Sequence, residues 1–225
     1  MTHQRTSKKI FIYIFIFFTL VTITNSKLSY DFYKVKKFNI SGLNQLETIK
    51  LNNDLKIFDN INIFLFNKKK ISKIIYSNKI IEKFNIVKIY PSTLNIEIEK
   101  TKFLAITKKN NIDYLVASNR NLIEIKDHNL ELPYIFGDID VNNFLSFKEI
   151  IDISNFEFNE IKNLYYFKSN RWDIVTKDGL LLKMPSNLTL KKMNFIFEII
   201  KKDNFSDLKI IDFRQNNMMV INEQY

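Results

Sequence analysis

Val87–Ile98 reads VKIYPSTLNIEI, and its two halves share a period of two. Leu94, Ile96 and Ile98 alternate with Asn95, Glu97 and Glu99, the pattern of a strand with one apolar and one polar face. Before the proline, Asn85, Val87 and Ile89 fall on one face of a strand that ends at Tyr90-Pro91. Pro91-Ser92 is turn chemistry, so the stretch reads as a β-hairpin.

Moving toward the amino terminus, Ile71, Ile74, Ile75 and Asn78 recur at helical spacing after the Lys68-Lys69-Lys70 run. Leu46, Ile49, Leu51 and Leu55 suggest an earlier helix, with residues 60–67 as connector. Phe38-Asn39-Ile40 alternates into Ser41-Gly42, a short strand closed by a turn. Strand, helix, helix, strand, strand makes a small α+β unit of about 70 residues, two helices covering one face of a three-stranded sheet. One polar sheet face or edge is left open.

Toward the carboxyl terminus the pattern changes to short strands at Phe103–Thr107, Tyr114–Ala117, Asn121–Ile125, Tyr134–Phe136, Leu164–Phe167, Arg171–Thr176 and Leu180–Met184. Lys177-Asp178-Gly179 is a hairpin turn. Helices are expected over 143–153, with Asn142 as cap, and over 187–202, with Leu190, Met193, Phe197 and Ile200 on one face. Lys209–Phe213 and Met218–Asn222 read as two final strands.

At the other end, Ile10–Thr24 (IFIYIFIFFTLVTIT) is charge-free and follows Arg5, Lys8 and Lys9. Fifteen helical residues span about 22 Å, and continuing to Leu28 approaches the ~30 Å of a hydrocarbon core. The segment reads as an uncleaved signal anchor over 10–28, behind a cytoplasmic tail over 1–9, with the remainder exported. A cleaved signal peptide lacks its small-residue site here, and an ordinary core helix would not be apolar on every face.

The net charge of +10 comes almost wholly from scattered lysines, since arginine occurs only at 5, 120, 171 and 214. Such a distribution suits a solvated surface better than a phosphate-binding track, so nucleic acid is not expected. No cysteine is present, which removes disulfides, thiolate metal sites and cysteine nucleophiles. His3 and His128 are too few for a catalytic triad or a two-histidine metal site, and three scattered glycines form no phosphate loop. Asp138, Asp140, Asn142 and Glu149 have the spacing of a calcium loop, but position six is Asn143 and the flanks read as strand and helix. Glu97 and Glu99 share a polar strand face, and Trp172 at a hairpin start reads as a packing residue. No catalytic residue, cofactor or small-molecule substrate is expected.

Phe38-Asn39-Ile40-Ser41-Gly42-Leu43 with Leu46, and Tyr90-Pro91-x-Thr93-Leu94, resemble the opening and closing of the POTRA domain in the bacterial cell-division family FtsQ/DivIB. Arg171-Trp172-Asp173-Ile174, Asp178-Gly179, Leu182-Lys183-Met184-Pro185 and Ile211-Asp212-Phe213-Arg214 resemble that family's β domain. Departures are Phe103 where proline is usual, Lys100 where glutamate is frequent, and Asp138-Ile139-Asp140 in place of a small-residue pattern. The resemblance implies a POTRA-like domain over 33–101 and, over 102–225, a mainly antiparallel β domain with two or three helices. It also implies a non-enzymatic, single-pass inner-membrane scaffold, its bulk periplasmic, that holds FtsB- and FtsL-type proteins. Another POTRA-bearing envelope assembly or secretion accessory, or a cell-wall-binding module, are the alternatives.

Candidate partner-binding residues are Phe213, Arg214, Gln215, Met218, Met219, Val220 and Ile221. A terminal edge strand offers unpaired N–H and C=O groups that a partner strand can complete. The same MMVIN run also reads as a core strand, and Arg214 as either an acidic-residue clamp or a local ion pair. By the resemblance, Gln215 stands where many members of that family carry an aromatic anchor, so that anchor is either absent here or moved to Phe213 or Tyr225.

Overall fold

The computed structural model describes residues 3–24, 33–125, 130–201, 209–215 and 218–222. Two compact units emerge, residues 1–78 with 83–99 and residues 79–82 with 100–225.

Helix α1 (His3–Thr24) opens the first unit, and its apolar side chains from Ile10 to Val21 are largely exposed. No helix among the described residues is long and apolar enough to cross a membrane. The span expected over 10–28 is therefore not shown. The charge-free part of α1 is fifteen residues, about 22 Å, and the extension to Leu28 lies outside the described residues.

The rest of this unit runs β1 (Lys37–Ser41), α2 (Gln45–Leu55), a 3-10 turn Lys56–Phe58, α3 (Lys68–Ser77), β2 (Ile81–Ile89) and β3 (Thr93–Lys100). The sheet order is β1-β3-β2, and β1 lies parallel to β3 with Phe38 opposite Leu94 and Ile40 opposite Ile96. Leu51 and Leu55 of α2, Ile71 and Ile75 of α3, and Leu94 and Ile96 of β3 are buried together as the core. Asn44 starts α2 through a capping box, accepting from the Glu47 N–H while Glu47 accepts from the Asn44 N–H.

One expected face is corrected, and one expected grouping, Asn85 with Val87 and Ile89, is found on a single strand face. Leu46, 80% exposed, and Ile49 do not join Leu51 and Leu55. At 100° per residue Leu46 and Leu51 stand about 140° apart, so the four leucine and isoleucine positions form two stripes, of which only one is buried. In β2 the exposed set is Asn85, Val87 and Ile89, while Phe84 turns inward and meets Tyr76 of α3 at 5.0 Å between ring centroids. Both sets of β2 contain apolar residues, and the aromatic contact decides between them. Gly42 follows β1 at φ +90°, where a Cβ would come within 1.8 Å of the Ile98 carbonyl oxygen. Only glycine fits that turn.

The second unit contains β4 (Phe103–Lys109), β5 (Ile112–Ala117), β6 (Leu122–Glu124), β7 (Tyr134–Phe136), α4 (Val141–Ile153), β8 (Ile161–Phe167), β9 (Arg171–Thr176), β10 (Leu181–Lys183), α5 (Leu190–Ile200), β11 (Ile210–Asp212) and β12 (Val220–Asn222). All its strands form one nine-stranded sheet in the order β12-β11-β10-β9-β8-β7-β4-β5-β6. Three pairings are parallel, β4 with β7, β7 with β8 and β10 with β11, and the helices α4 and α5 lie in the connections β7–β8 and β10–β11.

The register lines up one residue per strand. Ile135, Leu164, Ile174, Leu182 and Ile211 stand opposite one another across β7 to β11, each no more than 1% exposed. Phe144, Phe147 and Ile151 of α4 and Met193, Ile196 and Ile199 of α5 join this row in a single core cluster. Trp172 is buried against Phe147, 5.0 Å away and stacked, and against Tyr166 at 4.6 Å.

Helix starts differ from expectation. Asp140, not Asn142, caps α4, its carboxylate accepting from the Asn142 N–H at 3.0 Å. The run from Asp138 to Glu149 is therefore a helix start rather than an ion-binding loop, and no group of three acidic or histidine side chains among the described residues is placed to hold a metal. The buried face of α5 is rotated from Leu190 and Phe197 toward Ile196 and Ile199, because β11 and the groove beside it lie on that side. His128 lies outside the described residues.

Candidate functional site

Strand β12 is the edge of the nine-stranded sheet, and among the described residues its one strand neighbour is β11. The pairing is antiparallel, with Ile210 opposite Asn222, Ile211 opposite Ile221 and Asp212 opposite Val220. Residues directly opposite one another point to the same sheet face. Ile221 is thus the next step of the buried row through Ile211, yet it is 38% exposed. The row of core side chains runs out to the edge and stops uncovered. Val220, exposed, continues the opposite row, where Asp173, Lys183 and Asp212 alternate in charge.

The turn that leads to this edge is fixed by Asp212. Its carboxylate accepts from the Arg214 backbone N–H at 3.0 Å, and the guanidinium forks onto it through Nε at 2.8 and 2.9 Å and Nη2 at 2.5 Å. The hydrogen bond from Arg214 holds the Asp212 carboxyl below the usual carboxylate range. Arg214 therefore serves first as a local ion pair, and its side chain is still 45% exposed toward solvent.

Beside the edge lies a mainly apolar groove of about 410 Å³, lined by Pro185, Phe195, Ile196, Ile199, Phe213, Met218 and Met219 together with the polar Lys192 and Gln215. Met219 is half-buried against the core, whereas Phe195 and Met218 are largely exposed. Phe213, an expected protruding anchor, is 7% exposed and donates its backbone N–H to the Lys183 carbonyl at 2.9 Å, so it is floor rather than anchor. Tyr225, the other expected anchor, lies outside the described residues. The structure brings the expected set 213–221 together at one edge. The contribution of α5 went unread, because Phe195 lies off the helical stripe predicted as buried.

The FtsQ-type POTRA domain profile matches residues 33–100, the span of the small domain. Cell division protein DivIB of Bacillus subtilis (strain 168) is 27% identical over 192 residues, an alignment that covers 80% of this chain and 70% of that protein. That alignment is too long for the small domain alone and must run into the nine-stranded sheet as well.

Residues 33–100 belong to the FtsQ-type POTRA domain family, and the chain as a whole is similar to DivIB.

Among solved structures, the major extracytoplasmic domain of DivIB from Geobacillus stearothermophilus covers 45% of this chain and 92% of its own length, at 12% identity and a TM-score of 0.34. The small domain is an FtsQ-type POTRA domain, and the unit built on the nine-stranded sheet is referred to below as the β domain. The POTRA opening motif has a physical reason in this chain: Gly42 sits where the backbone of β3 allows no side chain. The departures at Phe103, Lys100 and Asp138–Asp140 fall at the first strand of the β domain, the end of β3 and the start of α4.

Proposed function

We propose that this chain is a non-enzymatic, membrane-anchored scaffold of the bacterial division machinery, which holds other division proteins by adding their backbone to β12. The observation that carries the reading is the core row ending at Ile221. A partner strand laid along β12 would complete the edge that lacks a strand neighbour among the described residues and place its own apolar side chain over Ile221, while a neighbouring residue enters the groove against Phe195 and Met219. Backbone pairing supplies affinity and the groove supplies selectivity. Partners of the FtsB and FtsL type suit this geometry, because a short segment of a small single-pass protein can be held without a large complementary surface. Arg214, beyond its bond to Asp212, meets an acidic residue of the partner. The FtsQ-type POTRA domain and the similarity to a cell-division protein support the biological setting.

Anchoring falls to α1. Its apolar side chains from Ile10 to Phe18 are largely exposed, and in the sequence the charge-free run continues through Ser26 before Lys27 and Leu28, toward the length of a bilayer core. Arg5, Lys8 and Lys9 keep the short tail on the cytoplasmic side, which places residues 33–225 outside.

Co-purification from membranes tests the reading. Removing residues 218–225 is expected to abolish capture of FtsB- and FtsL-type partners while amide exchange in the POTRA domain stays at its wild-type rate. Val220→Lys lowers capture less, in the same direction. Undiminished capture by the truncated chain would refute strand addition.

A further inference from the structure

The POTRA domain exposes a group of aromatic side chains that its own core does not use. Tyr33 and Phe64 meet at 5.2 Å between ring centroids, and Phe64 stacks on Tyr90 at 4.9 Å and 25°. Phe64 is 56% exposed, Tyr90 53%, and the neighbouring Leu65 80%. Apolar rings of this size are normally buried or paired across an interface.

Their exposure is built in. Ile63 and Phe66, on either side of Phe64 and Leu65, are buried and pin the loop to the domain. The Ile63 N–H donates to the Tyr33 carbonyl at 2.8 Å and the Val35 N–H to the Ile61 carbonyl at 2.9 Å, which ties the loop to the start of the domain. Asn62 closes the turn by accepting from the Phe64 N–H at 2.9 Å. The Lys36 N–H donates to the Ser92 carbonyl at 2.9 Å, so the turn that carries Tyr90 belongs to the same end. Two loops and the first residues of the domain thus hold the rings outward together.

Charge and chain length say what meets them. Residues 33–37, 56–70 and 87–93, which build this end, carry eight lysines and one carboxylate, Asp59. Thr24, the last residue of α1, and Tyr33 are nine residues apart, a separation that even a fully extended chain covers in no more than about 32 Å. If α1 is held in a bilayer, this end of the domain cannot leave the neighbourhood of the lipid surface. Aromatic rings flanked by lysines are the side chains that settle at the headgroup level of anionic membranes.

We infer that Tyr33, Phe64, Leu65 and Tyr90 form a lipid-facing foot that seats the POTRA domain on the headgroup region of an anionic bilayer. The inference rests on the anchoring reading of α1. It fixes which end of the domain faces the membrane, and so leaves the opposite end, where β3 finishes, turned away.

A nitroxide placed in the full-length chain tests this by electron paramagnetic resonance, since the sequence has no cysteine to compete for the label. One label sits at Leu65→Cys and a control at Glu99→Cys, six residues along β3 from Thr93 and so about 20 Å away. The chain is reconstituted into vesicles of phosphatidylcholine with phosphatidylglycerol and collected by flotation. The label at 65 is expected to become accessible to oxygen and shielded from a water-soluble nickel complex, and the label at 99 is not. Phe64→Ser with Tyr90→Ser in the Leu65→Cys background should return the label at 65 to water, as should vesicles of phosphatidylcholine alone, in part. A floated chain whose two labels report the same aqueous surroundings overturns the foot and leaves the anchor standing. Shielding at 65 that survives loss of both rings overturns it too, since the label then inserts on its own. A chain that does not float with the vesicles removes the anchoring reading and the foot together.

Discussion

The two domains expose apolar surface in opposite ways. In the POTRA domain the backbone of the loop at residues 61–66 is tied down and side chains project from it, Phe64 and Leu65 outward while Ile63 and Phe66 point inward. In the β domain it is the backbone of β12 that has, among the described residues, a strand neighbour on one side alone, while Ile221 and Val220 merely decorate it. A surface of projecting rings suits a partner without a fixed shape, such as lipid. An unpaired strand edge suits a partner that can become a strand. The two proposed recognition surfaces thus differ in kind, each on its own core.

Separate cores mean that each domain can be broken alone. Phe144 of α4 is fully buried in the β-domain cluster, so Phe144→Ala should cost about 3–5 kcal/mol. Calorimetry should show the β-domain transition moved down while amide exchange at Ile71 and Leu94 stays at its wild-type rate. Loss of protection in both domains would mean that their stabilities are coupled. Gly42→Ala acts on the other side of the comparison. The positive φ alone costs about 1–2 kcal/mol, and the contact with the Ile98 carbonyl adds to it. Protection at Leu94 and Ile96 should fall, with Ile174 and Leu182 unaffected.

The smallest effect belongs to the Asp212–Arg214 hook. Because Arg214 holds the Asp212 pKa below its ordinary value near about 3.9, the charged carboxylate adds stability above that value. As pH falls through the depressed folded pKa, the contribution is lost. Amide exchange at Val220 and Ile221 should therefore accelerate on strong acidification, by a factor of a few, as suits an ion pair open to solvent. Arg214→Gln should show the faster exchange already at neutral pH and a weaker acid response. An unchanged rate in that variant would mean that β12 is held by its pairing with β11 alone.

Much of this architecture was readable from spacing. Strands β7 and β9 have the expected bounds, and the other β-domain strands lie at their expected places, since short runs bounded by turn residues leave little freedom. Which face turned inward was harder. Leu46 and Ile49 look like core residues in a list of apolar positions, and only the helical angle separates them from Leu51 and Leu55. In β2 both faces carry apolar groups, and the choice waits on Tyr76 from a different element. The candidate edge was legible because it is local. The groove was not, since it needs α5 brought beside β11, and the parallel pairing of β10 with β11 that does so leaves no mark in either strand. The foot on the POTRA domain was equally hidden, with Tyr33, Phe64 and Tyr90 spread over 58 residues of sequence.

Trp172 is the sole indole in the sequence, and it lies deep in the β domain between Phe147 and Tyr166. Ultraviolet excitation at the red end of the aromatic band therefore illuminates one domain and leaves the other dark. Any shift in its emission as a ligand strand docks along β12 would have travelled through the core row, giving an optical readout of occupancy that requires no label.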